Sequence, residues 1–163
     1  MVAAIRAVAL DVDGVLTDGG FWWGPEGAEF KRFSFLDVMG ITLGRKAGLR
    51  FALITGEESL LVDRFALKVG ISDLFKGCKD KGAALQLFSE RHAIPLEAIC
   101  FMGDDVNDIP AMRLSGKSAA PASAHPQVLK VAQIVTRLRG GDGAVRELIE
   151  GILAEQADAS EPS

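Results

Sequence analysis

Cysteine is scarce in this chain of 163 residues, with only Cys78 and Cys100, and tyrosine is missing altogether. The two cysteines stand alone, without Cys-x-x-Cys spacing. That argues against a thiolate metal site and reads as two reduced thiols in or near the core of a cytosolic protein. The missing tyrosine has no physical account. No run of ~18 apolar residues is present, which argues against a membrane-spanning helix. No charged-then-apolar leader ends in a cleavage site, so the chain reads as cytoplasmic. Positive charge is also short: 18 Lys and Arg stand against 22 Asp and Glu, a net charge of −4. That argues against nucleic acid as the main partner, since a phosphate backbone needs a basic face. Local basic clusters remain able to hold small anions. No internal repeat or interdomain linker is visible, and one domain over residues 1–156 is expected.

What is present is the composition of a soluble globular protein, 48% hydrophobic and 25% charged. Such a length buries a proper core. The most informative stretch is Ile5-Arg6-Ala7-Val8-Ala9-Leu10-Asp11-Val12-Asp13-Gly14-Val15-Leu16-Thr17-Asp18-Gly19. An apolar run of strand length ends in two aspartates, and Gly14 then breaks the strand. A strand covered on both faces reads as such a run. Ligands of open α/β sheets bind beyond the carboxyl ends of the strands. Two carboxylates that close repel one another unless something positive lies between them, and a hard divalent cation with oxygen ligands is the obvious candidate. Taken alone, the same residues also make a strand-ending turn.

Further along, residues 50–56 and 98–103 repeat the buried-strand pattern, the first ending in Thr55-Gly56 and the second running into Asp104-Asp105-Val106-Asn107-Asp108. Residues 73–77 suggest a short strand or turn, and residues 118–120 and 134–136 two more strands. Helices are expected over 36–47, 58–68, 79–92, 109–114, 126–131 and 144–155. His92, at one helix end, reads as solvated or facing the helix dipole. Residues 157–163 are small and polar and read as a disordered tail. Strands alternate with helices throughout, which predicts an α/β fold with a parallel sheet and helices on both faces. All its strand ends then share one edge, and Asp11, Asp13, Thr55, Lys81, Asp104, Asp105 and Asp108 meet there. Carboxylates suit Mg²⁺, and the lysine, hydroxyl and glycine-permitted amides suit a phosphate.

The chain is interrupted once, by Gly20-Phe21-Trp22-Trp23-Gly24-Pro25-Glu26-Gly27-Ala28-Glu29-Phe30-Lys31-Arg32-Phe33. Two aromatic arms around Gly-Pro-Glu-Gly predict a β-hairpin insert over 20–33. Adjacent Trp22 and Trp23 point to opposite sides. The hairpin either packs on its own core or forms a subunit interface, and the aromatic enrichment favours the interface.

With these residues in place the chain resembles the haloacid dehalogenase superfamily of phosphatases. Asp11-Val12-Asp13-Gly14-Val15 looks like its first motif, Ile54-Thr55-Gly56 its second, Lys81 its third and Gly103-Asp104-Asp105-Val106-Asn107-Asp108 its fourth. No insertion is large enough for a cap domain. The hairpin, the Gly103-Asp104-Asp105 block and residues 140–147 are similar to a narrower capless group. It holds the 3-deoxy-D-manno-octulosonate 8-phosphate phosphatases, their nonulosonate 9-phosphate relatives, and a domain attached to some acylneuraminate cytidylyltransferases. The resemblance implies a Rossmann-like sheet with Asp11 as nucleophile and Asp13 as general acid and base. It implies Mg²⁺ held by Asp11, the Asp13 backbone carbonyl and Asp104. Thr55 and Lys81 would hold the phosphate, Asp108 would orient Lys81, and Asp105 would stand behind the metal ligands. It also implies a homotetramer whose neighbouring subunits close each active site. Residues 140–143 then either lie over a mouth shared by two subunits or form a mobile loop before the last helix.

The octulosonate phosphatases usually carry arginine where Glu57 follows Gly56. Glu57 together with Lys68 resembles the 2-keto-3-deoxynononate 9-phosphate phosphatases instead. Glu57 would accept hydrogen bonds from extra sugar hydroxyls, and Lys68 or Arg64 would meet the sugar acid's carboxylate. The nine-carbon ester is therefore favoured over the eight-carbon one. Two readings from other classes compete: a receiver-type signalling domain, which also gathers aspartates, a threonine and a lysine, and an assembly domain like the one attached to cytidylyltransferases. The full catalytic set favours the phosphatase.

Overall fold

Strand β1 (Ala7–Leu10) is fully buried along its length, and everything else is arranged on its two sides. In the computed structural model, which describes residues 2–162, it is followed by the hairpin strands β2 (Trp22–Trp23) and β3 (Glu29–Phe30). Then come α1 (Phe35–Lys46), β4 (Arg50–Ile54), α2 (Leu60–Val69), β5 (Asp73–Phe75) and α3 (Lys81–His92). The chain continues through β6 (Ile99–Met102), α4 (Ile109–Leu114), β7 (Lys117–Ala120), α5 (Pro126–Val131), β8 (Ile134–Val135) and α6 (Ala144–Ser160). The main sheet has the order β5-β4-β1-β6-β7-β8. Its neighbouring strands all run parallel. The α/β fold with a parallel sheet, helices on both faces and a small hairpin is as expected. No helix among the described residues is long and apolar enough to cross a membrane.

Alternation along the strands divides the core in two, because successive side chains point to opposite faces. Val8 and Leu10, Phe51 and Leu53, and Cys100 and Met102 face a layer that includes Ile41, Phe65, Val145 and Ile149. Ala7 and Ala9, Ala52 and Ile54, and Ile99 and Phe101 face the other, with Leu85, Phe88 and Met112. Ser34, Ser59 and Asp80 cap α1, α2 and α3 through their side-chain oxygens, which satisfies amide donors that the helices leave free. Gly70 ends α2 in the left-handed region, at φ 71°.

Two local expectations need correction. Helix α6 runs through Ser160, so residues 157–160 are helical rather than part of a disordered tail. Ala157 and Ala159 are strong helix formers and carry the last turn without burial. Ser163 lies outside the described residues. Of the two readings of His92, the solvated one gives way, while its place in the last turn of α3 fits the helix-dipole one: its Nε2 lies 2.9 Å from Asp73 Oδ1 and its side chain is 17% exposed. Asp73 is buried at the start of β5 and also meets Arg91 at 3.0 Å, so the helix end is tied down by a carboxylate that sequence order places 19 residues away.

Helices α1 and α6 pack so closely that a Cβ on Gly40 would lie 2.6 Å from Arg146 Cα. At this contact Asp37 is buried, and its Oδ1 accepts from Arg146 N at 3.1 Å. Asp37 therefore caps α6 from outside that helix. Its Oδ2 finds no partner among the described residues. Burial pushes the carboxyl up to about 6, against the pull of the α6 amides. The group takes up its proton more readily folded than unfolded, so its contribution to stability falls as pH rises from about 4 through about 6. Thermal unfolding of the parent and of Asp37→Asn checks this. The melting temperature of the variant minus that of the parent should increase between pH 4.5 and pH 7, and a difference that is flat with pH would show that the carboxyl does not titrate there.

Candidate active site

The strand order reverses direction at β1, which is flanked by β4 and β6. Crevices at such switch points are where open α/β sheets bind ligands. Asp11 follows β1 directly, Thr55 follows β4, and Gly103-Asp104 follows β6. Lys81 is the first residue of α3 and points back to the same edge.

Lys81 is the centre of the charge arrangement. Its Nζ lies 2.7 Å from Asp108 Oδ1 and 3.0 Å from Asp11 Oδ1, with all three side chains buried. Burial works against its charge, but Asp11 and Asp108 outweigh that and raise it above the ordinary lysine range. Asp108 is used on both sides: Oδ2 accepts from the amides of Asp104 at 2.9 Å and Asp105 at 3.2 Å. It thus pairs with Lys81 and fixes the turn after β6. The Asp105 side chain caps that turn by accepting from Val106 N at 2.7 Å.

One oxygen each from Asp11, Asp104 and Asp108 lie within 4.8 Å of one another. Burial, then Asp108, raises Asp11 well above the usual carboxylate range, and Lys81 only partly opposes this. Burial likewise pushes Asp104 up to about 6. Acidic oxygens crowded out of water in this way are short of positive charge, and a hard divalent cation fits the deficit. Asp108 is already committed to Lys81 and two amides, so Asp11 and Asp104 are the carboxylates that would be free to hold such a cation. The Asp13 carboxylate is held by Thr17 Oγ1 and Lys31 Nζ rather than by the acidic cluster. Only its backbone carbonyl was expected on the metal.

A cavity of about 390 Å³ opens over these groups. Asp11, Asp13, Thr55, Gly56, Glu57, Lys81, Asp104 and Asp105 all line it. The Thr55 hydroxyl oxygen accepts from Glu57 N at 3.2 Å, which sets the turn after β4. Arg64 and Lys68 are not here. They line a separate cavity of about 570 Å³ walled by Phe33, Phe35, Val38 and Phe65. Sequence reasoning also missed Asn107, which lines the first cavity, and Lys31. The residues between Asp108 and Asp104 announce Asn107. Nothing in the local pattern of the hairpin announces that Lys31 reaches back to Asp13.

A buried carboxylate, a second carboxylate two residues on, a lysine and a group of acidic oxygens suited to a cation are the set that hydrolysis of a phosphate monoester calls for. Comparison with known proteins agrees. The model for haloacid dehalogenase-like hydrolases matches residues 45–148. The 3-deoxy-D-manno-octulosonate 8-phosphate phosphatase of Escherichia coli K12 is 40% identical over 157 residues, covering 96% of this chain and 84% of that enzyme. The crystal structure of the same phosphatase from Yersinia pestis superposes with a TM-score of 0.93 at 38% identity, over 96% of this chain and 84% of that one. The structure of the Moraxella catarrhalis phosphatase, in complex with a magnesium ion, a phosphate ion and KDO, gives 0.91 at 37% identity, over 96% and 91%. The chain belongs to the haloacid dehalogenase-like hydrolase family, in its capless group, and is a phosphoric monoester hydrolase.

Gly14 tests the metal site. It sits at φ 83°, and a Cβ there would lie 1.8 Å from Asp104 Oδ2. Gly14→Ala should weaken Mg²⁺ binding, read by titration calorimetry, by about 10- to 100-fold. Gly151→Ala, in open space on α6, should leave it unchanged. Equal affinity in the two variants would remove Asp104 from the metal site.

Proposed function

We propose that the protein hydrolyses the phosphate monoester of a 2-keto-3-deoxy sugar acid, with Mg²⁺ as cofactor, through an aspartyl-phosphate on Asp11. The observation that carries this reading is the cluster of Asp11, Lys81, Asp104 and Asp108 at the switch point, in a chain 40% identical to an octulosonate 8-phosphate phosphatase. When bound, the cation neutralises charge between the nucleophile and the phosphoryl group. The protein's own residues do the rest. Asp11 attacks phosphorus in line while Lys81 and Thr55 hold the phosphoryl oxygens. Asp13 gives a proton to the leaving sugar oxygen and later takes one from water.

Two features bear on the sugar. Glu57 lines the phosphate cavity, where a carboxylate is able to accept from sugar hydroxyls, and this favours the nine-carbon ester. Lys68 and Arg64 line the neighbouring cavity, so within one subunit Lys68 does not act beside Glu57. That separation and the names of the relatives weigh toward the eight-carbon ester. The hairpin supports assembly. Trp22, Trp23, Phe30 and Phe35 are all more than half exposed, and Trp23 reaches 71%. A ridge of that kind marks a protein interface. A homotetramer whose hairpins associate and whose neighbours close each active site accounts for it, in a cytoplasmic enzyme. A receiver domain would keep its phosphoryl group, and an assembly domain would not need the buried Lys81.

Phosphate release from octulosonate 8-phosphate and nononate 9-phosphate, measured side by side with Mg²⁺ and with chelator, checks the reading. Release should need Mg²⁺, favour the eight-carbon ester, and fall at least a thousandfold in Asp11→Asn, since the covalent step is lost. Release that survives in Asp11→Asn would refute the covalent route, and no release from either ester would remove the sugar-acid assignment.

A further inference from the structure

The hairpin delivers a second lysine to the site. Lys31 directly follows β3, and its side chain is only 4% exposed. Its Nζ lies 3.0 Å from both oxygens of Asp13, with Glu29 Oε2 further off at 3.9 Å. A cation so far out of water needs a partner held in good geometry, and a bidentate approach to one carboxylate provides it. Asp13 is gripped from its other side as well. Thr17 Oγ1 lies 3.4 Å from Asp13 Oδ1 and accepts from Gly14 N at 3.2 Å and Gly19 N at 3.1 Å. With both amide protons on its lone pairs, the hydroxyl has its own proton free to donate to the carboxylate. Each aspartate of the Asp-x-Asp pair thus has its own lysine, Lys81 for Asp11 and Lys31 for Asp13.

We propose that Lys31 is a positioning residue that aims the Asp13 carboxyl group, so that the acid and base of the reaction are complete only when the hairpin is seated. This rests on the phosphatase reading given above. Three features favour positioning over direct contact with substrate. Lys31 is committed to Asp13. It does not line the phosphate cavity but the neighbouring one. The arm that carries it is anchored by Phe33, whose ring stacks on Phe65 of α2 with centroids 4.5 Å apart.

The two half-reactions make different demands on Asp13, and a choice of leaving group separates them. In the first, a bond forms between Asp11 Oδ and phosphorus, the bond from phosphorus to the leaving oxygen breaks, and Asp13 passes to that oxygen the proton it took from water in the preceding turnover. In the second, water bonds to phosphorus, the bond to Asp11 breaks, and the proton of the water goes to Asp13. A sugar alkoxide needs the proton in the first step. p-Nitrophenolate leaves without it, but its phosphoenzyme still needs Asp13 in the second.

Lys31→Met is therefore assayed with p-nitrophenyl phosphate by rapid mixing and with the sugar acid esters at steady state. A rapid burst close to one p-nitrophenolate per active site should be followed by turnover about 10- to 100-fold slower than in the parent, part of what a positioned acid and base contributes. On the sugar ester kcat should fall by a similar factor, with KM changed less than twofold. A rise in KM at unchanged kcat would make Lys31 a substrate contact. A lost burst would make it merely structural, and unchanged turnover would leave it without a role, and each of these overturns the proposal. Should Lys31→Met fail to fold, Lys31→Arg carries the same test, with the displaced cation giving the same burst and a smaller fall in turnover. Failure of the parent protein on both sugar esters is a different result, since it removes the phosphatase reading itself.

Discussion

The site depends on one arrangement of charge, a single ammonium between two buried carboxylates with a third close by. Lys81 satisfies Asp11 and Asp108 at 3.0 and 2.7 Å, yet Asp11 and Asp104 still stand well above or at the top of the range expected of carboxylates. Removing one member of a buried ion pair typically costs about 3–5 kcal/mol, because the survivor is left unpaired. The cluster is thus poor as a stabilising device and good as a receptor. It holds acidic oxygens in place with too little positive charge, and a divalent cation with a phosphate ester is the chemical complement of that deficit.

Holding that cluster explains several features of the chain that carry no chemistry. Asp108 spends one oxygen on Lys81 and the other on two backbone amides. A Cβ on Gly103 would meet the Asp108 side chain at 2.4 Å. The loop before α6 closes on the first motif: a Cβ on Gly140 would lie 1.9 Å from Gly14 O, and Gly141 N donates to Val15 O at 3.2 Å. Asp37 then fixes the start of α6 through Arg146 N. The last helix, which contributes no catalytic group, is in this way tied to the turn that carries Asp13.

Much of this was legible in the sequence because it depends on local pattern. Both-face burial makes strands β1, β4 and β6 apolar runs, and a parallel sheet puts their ends on one edge. Asp11, Thr55, Lys81 and Asp104 could therefore be brought together from order alone. What escaped depends on tertiary geometry. Lys68 is eleven residues beyond Glu57, a spacing that by itself does not say which way the helix presents it, and it faces the wall of a different cavity. The pairing of His92 with Asp73 joins the end of α3 to the start of β5. The extension of α6 to Ser160 rests on the helix propensity of two exposed alanines, where apolar periodicity says little.

The hairpin marks the boundary between what one subunit explains and what it does not. Its outer face carries exposed aromatic rings that nothing in the same chain covers among the described residues. Its inner arm carries Lys31, buried and bonded to Asp13. A two-stranded hairpin of this length is marginal on its own in water, so a partner covering the outer face would also steady the inner arm. In a capless phosphatase no second domain closes over the substrate to exclude water and complete the acid and base. The same need is met here if assembly seats the hairpin, because Lys31, which orients Asp13, directly follows the strand pair that carries the exposed Trp22, Trp23 and Phe30.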